Sequence, residues 1–381
     1  MRRTYLDWNA TAPPLDAVIE AMRDAAREAW GNPSSIHGEG RLARAKVEEA
    51  RAAVAALAGC DVRDVVLTSG GTEANNLAVR SFFADGPGVL VTSRLEHPSV
   101  GRVAEVLESA GTRTVWLDAR PDGTIDVAGL SRALEACGAE RVLVAVQAVN
   151  GETGVVQPVD EVLALARGRS HASSAETRVH VDAVQAWGKL ESVAADADTR
   201  SLAAHKLRGP KGIGALVARE GVTIRPVLVG GSQERGVRPG TVDPVAAAGL
   251  GVAAAHARTS PTRYARIAPL RDALECAIVD LAAGAQVNGG AARRVAHVTN
   301  VSLPGWIGAE LVAALDLEGV AVASGSACSA GTIEPSPVIR AMHGEERARG
   351  AVRASLGETT TEGDIEHAIA AFRRVLGRVS L

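Results

Sequence analysis

Across 381 residues the chain carries only four cysteines, Cys60, Cys137, Cys276 and Cys328. They lie too far apart to form a C-x-x-C pair or a zinc-type cluster. That pattern suggests neither a disulfide framework nor a metal centre, and it fits a reducing compartment. An excess of one charge is also lacking. Lys and Arg number 41 against 44 Asp and Glu, a formal net charge of −3, so neither nucleic acid nor a membrane surface is an expected partner. No run approaches the roughly 18 uninterrupted apolar residues of a membrane span. The opening MRRTYLDWNATAPPL has two arginines with no apolar stretch behind them, unlike a secretory signal. The expectation is a cytoplasmic protein. Internal repeats, low-complexity tracts, a Walker motif and G-x-G-x-x-G are all missing, which disfavours nucleotide binding.

What is present is an ordinary globular composition, 46% hydrophobic and 22% charged, on a chain long enough for one large domain and a smaller one. From about residue 15 to 255, short β-branched runs alternate with helical patterns. Val65–Thr68, Val89–Thr92, Thr114–Leu117, Val142–Val146, Val179–Asp182 and Ile213–Val217 read as buried strands. Amphipathic stretches such as Leu42–Leu57 separate several of them. This alternation predicts crossover units and a mostly parallel sheet covered by helices. Beyond about residue 260 the texture changes. A helix at Ile267–Leu281, a strand at Ala296–Leu303, a further helix and a last helix at Thr361–Leu376 suggest a separate α+β domain.

Four stretches carry chemistry. In LTSGGTEANNLAV (Leu67–Val79) a strand meets a Gly-Gly turn and Thr72 opens a helix, an arrangement whose backbone N–H groups can cradle a phosphate. The same residues also serve as an ordinary helix cap. In VHVDAVQAWGK, Asp182 closes an apolar strand, where ligands bind in open α/β sheets. It needs a cationic or hydrogen-bonding partner there, because a carboxylate buried alone is costly; an N-cap role is the alternative. In SLAAHKLRGPKGIGALV, Lys206 follows a small apolar run, and an enclosed lysine can become an amine nucleophile that forms Schiff bases. A snorkelling lysine is the plainer reading, and His205 is a phosphate donor or a loop histidine. Cys328 sits in VASGSACSAGTIEPS, among small residues that favour access rather than packing. A phosphate cradle, a carboxylate and a Schiff-base lysine together suit pyridoxal phosphate (PLP).

With these residues in view the chain resembles the cysteine desulfurases of the class V aminotransferase group. The resemblance runs through YLDWNATAPP, GNPSSIHGEGRLAR, TSGGTEANNLA, EHPSV, NGETGVVQPV, HVDAVQ, AHKLRGPKGIGAL, GGSQERGVRPGT, ASGSACSAGTIEPS and VRASLGETTTEGDI. It implies a PLP-dependent transferase of fold type I: a mostly parallel seven-stranded sheet with a smaller α+β C-terminal domain. The large PLP-binding domain would span 15–258. The small domain, carrying the catalytic cysteine loop, would span 1–14 and 259–381, in the long, mobile-loop branch of the family. Lys206 would hold PLP as a Schiff base, Asp182 would pair with the ring nitrogen, Gln185 with the ring hydroxyl, and His97 would stack on the ring. Gly71, Thr72 and His205 would hold the phosphate, and Thr241 would reach the phosphate of the neighbouring subunit, implying a homodimer. Arg353 would clamp the substrate carboxylate, with Asn150 beside it. Lys206 or His97 would move the α-proton of L-cysteine, and Cys328 would take its sulfur as a persulfide, releasing alanine.

The chain departs from the family pattern in three places. Asn150-Gly151-Glu152 stands where Asn-Asn-Glu is usual, Ala203-Ala204-His205-Lys206 where Ser-x-His-Lys is usual, and Pro239 where a serine precedes Gly-Thr. A lost hydrogen bond to a charged group costs about 1.5–3 kcal/mol, so weaker cofactor or substrate binding is expected. Selenocysteine lysis, another PLP-dependent aminotransferase-type reaction and a non-catalytic dimeric scaffold are the alternatives. The sulfur-acceptor protein is not encoded legibly: iron–sulfur assembly, tRNA thiolation and DNA phosphorothioation all draw on such persulfides.

Overall fold

The computed structural model describes residues 2–172, 176–325 and 334–377; Cys328 lies outside them. The first half alternates as its sequence predicts. It runs β1 (Thr4–Tyr5), α1 (Asp16–Glu28), α2 (Gly38–Ala58), β2 (Val65–Thr68), α3 (Gly71–Ala84), β3 (Val89–Ser93), α4 (Pro98–Ser109), β4 (Arg113–Leu117) and α5 (Val127–Ala136). Next come β5 (Val142–Gln147), α6 (Val159–Ala172), β6 (Thr177–Asp182), β7 (Thr199–Ala203), β8 (Gly214–Ala218) and α7 (Pro244–Ala257). Seven of these strands form one sheet in the order β2-β8-β7-β6-β5-β3-β4. Only the pairings of β8, with β7 and with β2, are antiparallel. Every residue of β5 is buried, as a strand covered by helices on both faces must be.

The strand β7 is the one element of this sheet that the hydrophobic pattern does not mark. Its sequence, Thr-Arg-Ser-Leu-Ala, holds a buried Arg200 whose guanidinium donates to the carbonyls of Val193 (3.0 Å) and Ala58 (3.2 Å). The outer edge of β2 is covered by the turn at 232–237. Arg51 and Glu234 form a buried ion pair at 2.7 Å, Glu234 accepts from the N–H of Leu67 at 2.8 Å, and Arg235 donates to the Val65 carbonyl. Glu234 and Arg235 take left-handed φ angles of 46° and 59° to do so, a strain of about 1–3 kcal/mol each that closes an otherwise open sheet edge.

The remaining chain builds a second, smaller core. It runs α8 (Ser260–Ala265), α9 (Ala268–Leu281), β9 (Gln286–Val287), β10 (Val298–Ser302), α10 (Gly308–Leu317) and β11 (Val320–Ala321), then α11 (Pro337–His343), α12 (Glu345–Arg349), β12 (Ala351–Ser355) and α13 (Glu362–Gly377). A three-stranded antiparallel sheet, β12-β10-β9, packs on α9, which in turn packs on α13, and β1 from the start of the chain pairs with β11. Leu6, Leu274, Val301, Leu315 and Phe372 lie in its apolar centre. No helix among the described residues is long and apolar enough to cross a membrane.

The two cores are tied by Glu358, which follows β12. Its carboxylate accepts from His256 of α7 (2.7 Å), Arg263 of α8 (2.9 Å) and Arg208 (3.1 Å). Burial alone would raise its pKa, but the hydrogen bonds from His256 and Arg263, with Ser260, hold it down to about 2, from an ordinary 4.5. A depressed carboxylate stabilises the fold above its unfolded pKa and loses that contribution as pH falls through the folded value. Glu358→Gln should therefore cost about 2 kcal/mol at neutral pH, after allowance for partial solvent screening. That cost should shrink progressively below pH 4.5. Denaturant melts of parent and variant at neutral pH and near pH 3 measure it; a difference that does not change with pH would remove Glu358 as the anionic tie.

Candidate active site

The carboxyl ends of β2, β3, β5, β6 and β7 converge on one cavity of about 240 Å³. Each strand end delivers its own chemistry there, the arrangement expected where loops leave the carboxyl edge of an open sheet. Gly71, Thr72, His97, Asn150, Asp182, Gln185, His205, Lys206 and Arg353 all line it. Thr241 does not: it is exposed and outside this chain's cavity.

After β2 the chain turns at Gly70, whose φ is 151°, and α3 begins. A Cβ on Gly71 would lie 2.6 Å from Val184 Cγ2. Glycine therefore lets the first turn of α3 pack against the loop after β6, bringing its N–H groups to the cavity. Asp182 closes β6 and is buried. It accepts from Asn75 Nδ2 (2.7 Å), Ser201 Oγ (3.2 Å) and the N–H of Val184 (3.1 Å). Ser201 is thus spent on Asp182 and does not replace the hydroxyl missing at Ala203.

Beyond β7 a short 3₁₀ turn presents His205 and Lys206. Lys206 Nζ donates to the carbonyls of Asn9 and, at 2.8 Å, Ala10. Lys189 donates to the carbonyl of Lys206 at 2.6 Å and so fixes that backbone from behind. Burial, then the nearby charge of Lys206, brings the Lys189 ammonium down to about 7. Burial and the charges of Lys206, Lys211 and Lys189 push His205 down to about 4, so it is neutral and bonds Thr11 Oγ1 at 3.2 Å.

Arg353, on β12, is buried against the cavity. One guanidinium nitrogen donates to the Gly151 carbonyl (3.0 Å) and another to Asp7 (2.5 Å), while Nε has no partner among the described residues. A buried cation with an unspent donor suits a carboxylate. Asn150, expected to share that task, holds a turn instead. Its Oδ1 accepts from the N–H groups of Glu152 and Thr153, both at 2.9 Å, and its amide donates to Leu95.

Several residues at the site had no role in the sequence reading. Asn9 binds Lys206 and Gln185 through its carbonyl and Gly151 and His297 through its side chain; the quoted LDWNATAPP stretch contained it without a task. Glu152 accepts from Ser336 at 2.5 Å, and burial raises its pKa against that bond. Ser336 is the N-cap of α11, so Glu152 anchors the return stem of the Cys328 segment, while Ala323 on the outgoing stem pairs by backbone with Arg353. Glu96 is a buried carboxyl pushed well above its ordinary value by burial, with Asp182's charge adding to this.

An amine, a ring of N–H donors at a helix start, a neutral imidazole and a buried carboxylate make a donor set that fits an aldehyde phosphate with a basic ring nitrogen. The fold and this site define a PLP-type transferase scaffold, and the chain belongs to the class-V aminotransferase family, whose model matches residues 4–367. Within that family it groups with the cysteine desulfurases. It is 36% identical to cysteine desulfurase 2 of Trichormus variabilis over 98% of this chain and 93% of that protein. It superposes on the solved structure of a NifS-like protein with a TM-score of 0.89 and 31% identity, covering 99% of this chain and all of the other. A structure of SspA in complex with cysteine matches at a TM-score of 0.78 and 29% identity, over 94% of this chain and all of that one.

The geometry separates two of the departures. Ala203 lines the cavity beside Gly71, so Ala203→Ser adds a donor next to the helix start and should tighten cofactor binding by about 1 kcal/mol, roughly fivefold. A Cβ at Gly151 would sit 3.2 Å from Gln185 Nε2. Gly151→Asn should therefore push Gln185 off the Asn9 carbonyl and give no gain. Cofactor titrations of both variants check this; tighter binding by Gly151→Asn alone would show that Gln185 yields without cost.

Proposed function

We propose that this protein is a cysteine desulfurase, converting L-cysteine to L-alanine with its sulfur left on Cys328 as a persulfide. What carries the reading is the meeting of Lys206, Asp182 and the start of α3 in one cavity whose rim holds both stems of the Cys328 segment. On this reading residues 15–258 hold the cofactor, and 1–14 with 259–381 carry the cysteine.

PLP, when bound, supplies an aldehyde for an amine and a ring that accepts an electron pair from the adjoining carbon. Lys206 is the amine that would hold it, and Gly71, Thr72 and His205 would hold its phosphate. Asp182 would keep a proton on the ring nitrogen, and Gln185 would bond the ring hydroxyl. Arg353 receives the substrate carboxylate through Nε. Lys206 moves the proton at Cα of L-cysteine. The Cys328 thiolate attacks the substrate sulfur, so an S–S bond forms as the Cβ–S bond breaks, and a proton added at Cβ completes alanine. Cys328 is the third residue after Gly325, so chain length limits its distance from that stem to at most roughly 10 Å.

Two of the other thiols suit this role less. Burial raises the pKa of both Cys60 and Cys137, and a thiolate is what attacks. The active unit is a homodimer in a reducing, cytoplasmic setting, with Thr241 reaching the partner's phosphate; its exposure on the single chain is in keeping with that. The sulfur then passes to an acceptor protein.

Lys206→Ala should purify without the visible absorbance of bound cofactor and release no alanine, and borohydride reduction of the parent should leave the cofactor's mass on the Lys206 peptide. Turnover by Lys206→Ala would sink the assignment. Cys328→Ser should keep colour and the spectral response to L-cysteine but make no persulfide and almost no alanine. Mass spectrometry after incubation with L-cysteine locates the extra sulfur, and finding it on Cys60, Cys137 or Cys276 would overturn the role of Cys328.

A further inference from the structure

His97 caps the start of α4 and lines the cavity, and a chain of hydrogen bonds leads from it to Asp182 at the end of β6, two strands away in the sheet. Asn75 Nδ2 lies 2.7 Å from Asp182 Oδ2 and 2.8 Å from Ser99 Oγ. Ser99 Oγ lies 2.8 Å from His97 Nδ1, which also accepts the N–H of Ser99 at 3.1 Å. On its other side Asn75 Oδ1 meets His180 Nε2 at 3.0 Å. Asn75, Ser99, His180 and Asp182 are all buried, Asn75 with 1% exposure, so these direct contacts are shielded from bulk solvent.

The direction of each bond follows from elementary donor and acceptor counting. An ionised Asp182 only accepts, so the atom of Asn75 facing it is the NH₂ group; the flipped amide would set two acceptors 2.7 Å apart. The second amide proton then points at Ser99 Oγ, which becomes an acceptor and sends its own proton to His97 Nδ1. The backbone N–H of Ser99 points at the same atom, so a proton on Nδ1 would face another donor. Neutral His97 therefore carries its proton on Nε2, the ring nitrogen away from the helix. His180 is held as the Nε2–H form by the same amide, and burial brings its pKa down to about 4, keeping it neutral.

We propose that Asn75 and Ser99 are positioning residues that lock His97 as an N–H donor at the cavity and set its orientation from Asp182. This inference rests on the desulfurase reading only for its consequence. A histidine locked this way has no basic nitrogen to offer a substrate proton, so Lys206 is the base at Cα and His97 hydrogen-bonds or gives a proton.

Nitrogen-15 NMR of histidine-labelled protein, recorded without L-cysteine in the cofactor-free and cofactor-loaded forms, reads the ring directly, with His97→Gln and His180→Gln assigning the signals. The parent should show His97 with a protonated Nε2 and an unprotonated Nδ1. Asn75→Ala should shift the ring signals of both His97 and His180, although it touches only the second. Ser99→Ala should shift His97 alone, and Ser99→Thr, which keeps the hydroxyl, should restore the parent position. A mixture of tautomers, or a proton on Nδ1, in the parent would overturn the proposal, as would Asn75→Ala leaving His97 unmoved. Should Asn75→Ala fail to fold, the parent spectrum with the two Ser99 variants still decides it. Because no substrate is present, a failed desulfurase assignment would leave these spectra unchanged.

Discussion

A carboxylate buried at the end of a parallel strand is the constraint around which this site is organised. Asp182 has 7% exposure, and an ionised group in that position is tolerated only when its lone pairs are filled. Three donors from three places fill them: an amide on α3, a hydroxyl on β7 and the backbone two residues on. Meeting that requirement fixes how α3 sits on the sheet and which way the Asn75 amide faces. Through Ser99 it also reaches the start of α4, so the two sides of the cavity are held in register by one buried charge.

The second organising feature is the return of both chain ends. Near the start of the chain β1 pairs with β11 and Asp7 bridges to Ser355 of β12; the segment then reaches the cavity, where Asn9 and Ala10 supply the carbonyls that receive Lys206. The strand β12 brings Arg353 to the same place, and Asp7 takes one of its nitrogens. A cation clamp and an amine are thus positioned by segments some 340 residues apart in sequence, with Glu358 fastening the junction beneath them.

The departures from the family pattern look different once the neighbours are known. Gly151 is not simply a missing amide: its carbonyl receives Arg353 and Asn9, and a larger residue would crowd Gln185. Pro239 packs where a Cβ on Gly230 would come within 2.7 Å of it, so the loop that carries Thr241 is shaped by proline and glycine rather than by a serine hydrogen bond.

Much of this molecule was legible in the sequence because short buried strands and amphipathic helices leave periodic signatures. Val65–Thr68 matches β2, the run from Val142 matches β5, Leu42–Leu57 lies within α2, and the last helix is displaced by a single residue. The candidate residues Asp182, Lys206 and Arg353 were identified by strand-end position and by resemblance. The strand β7 escaped, since a buried arginine between threonine and serine breaks the apolar pattern, and its stability comes from carbonyls 7 and 142 residues away. Asn9, Asn75, Ser99 and Glu152 were equally silent. Polar side chains acquire roles only from the partners that folding places opposite them, and those partners come from other strands and helices. Sequence determined which residues could do the chemistry; tertiary structure decided which way each hydrogen bond runs, because donor and acceptor are assigned only when both atoms are in place.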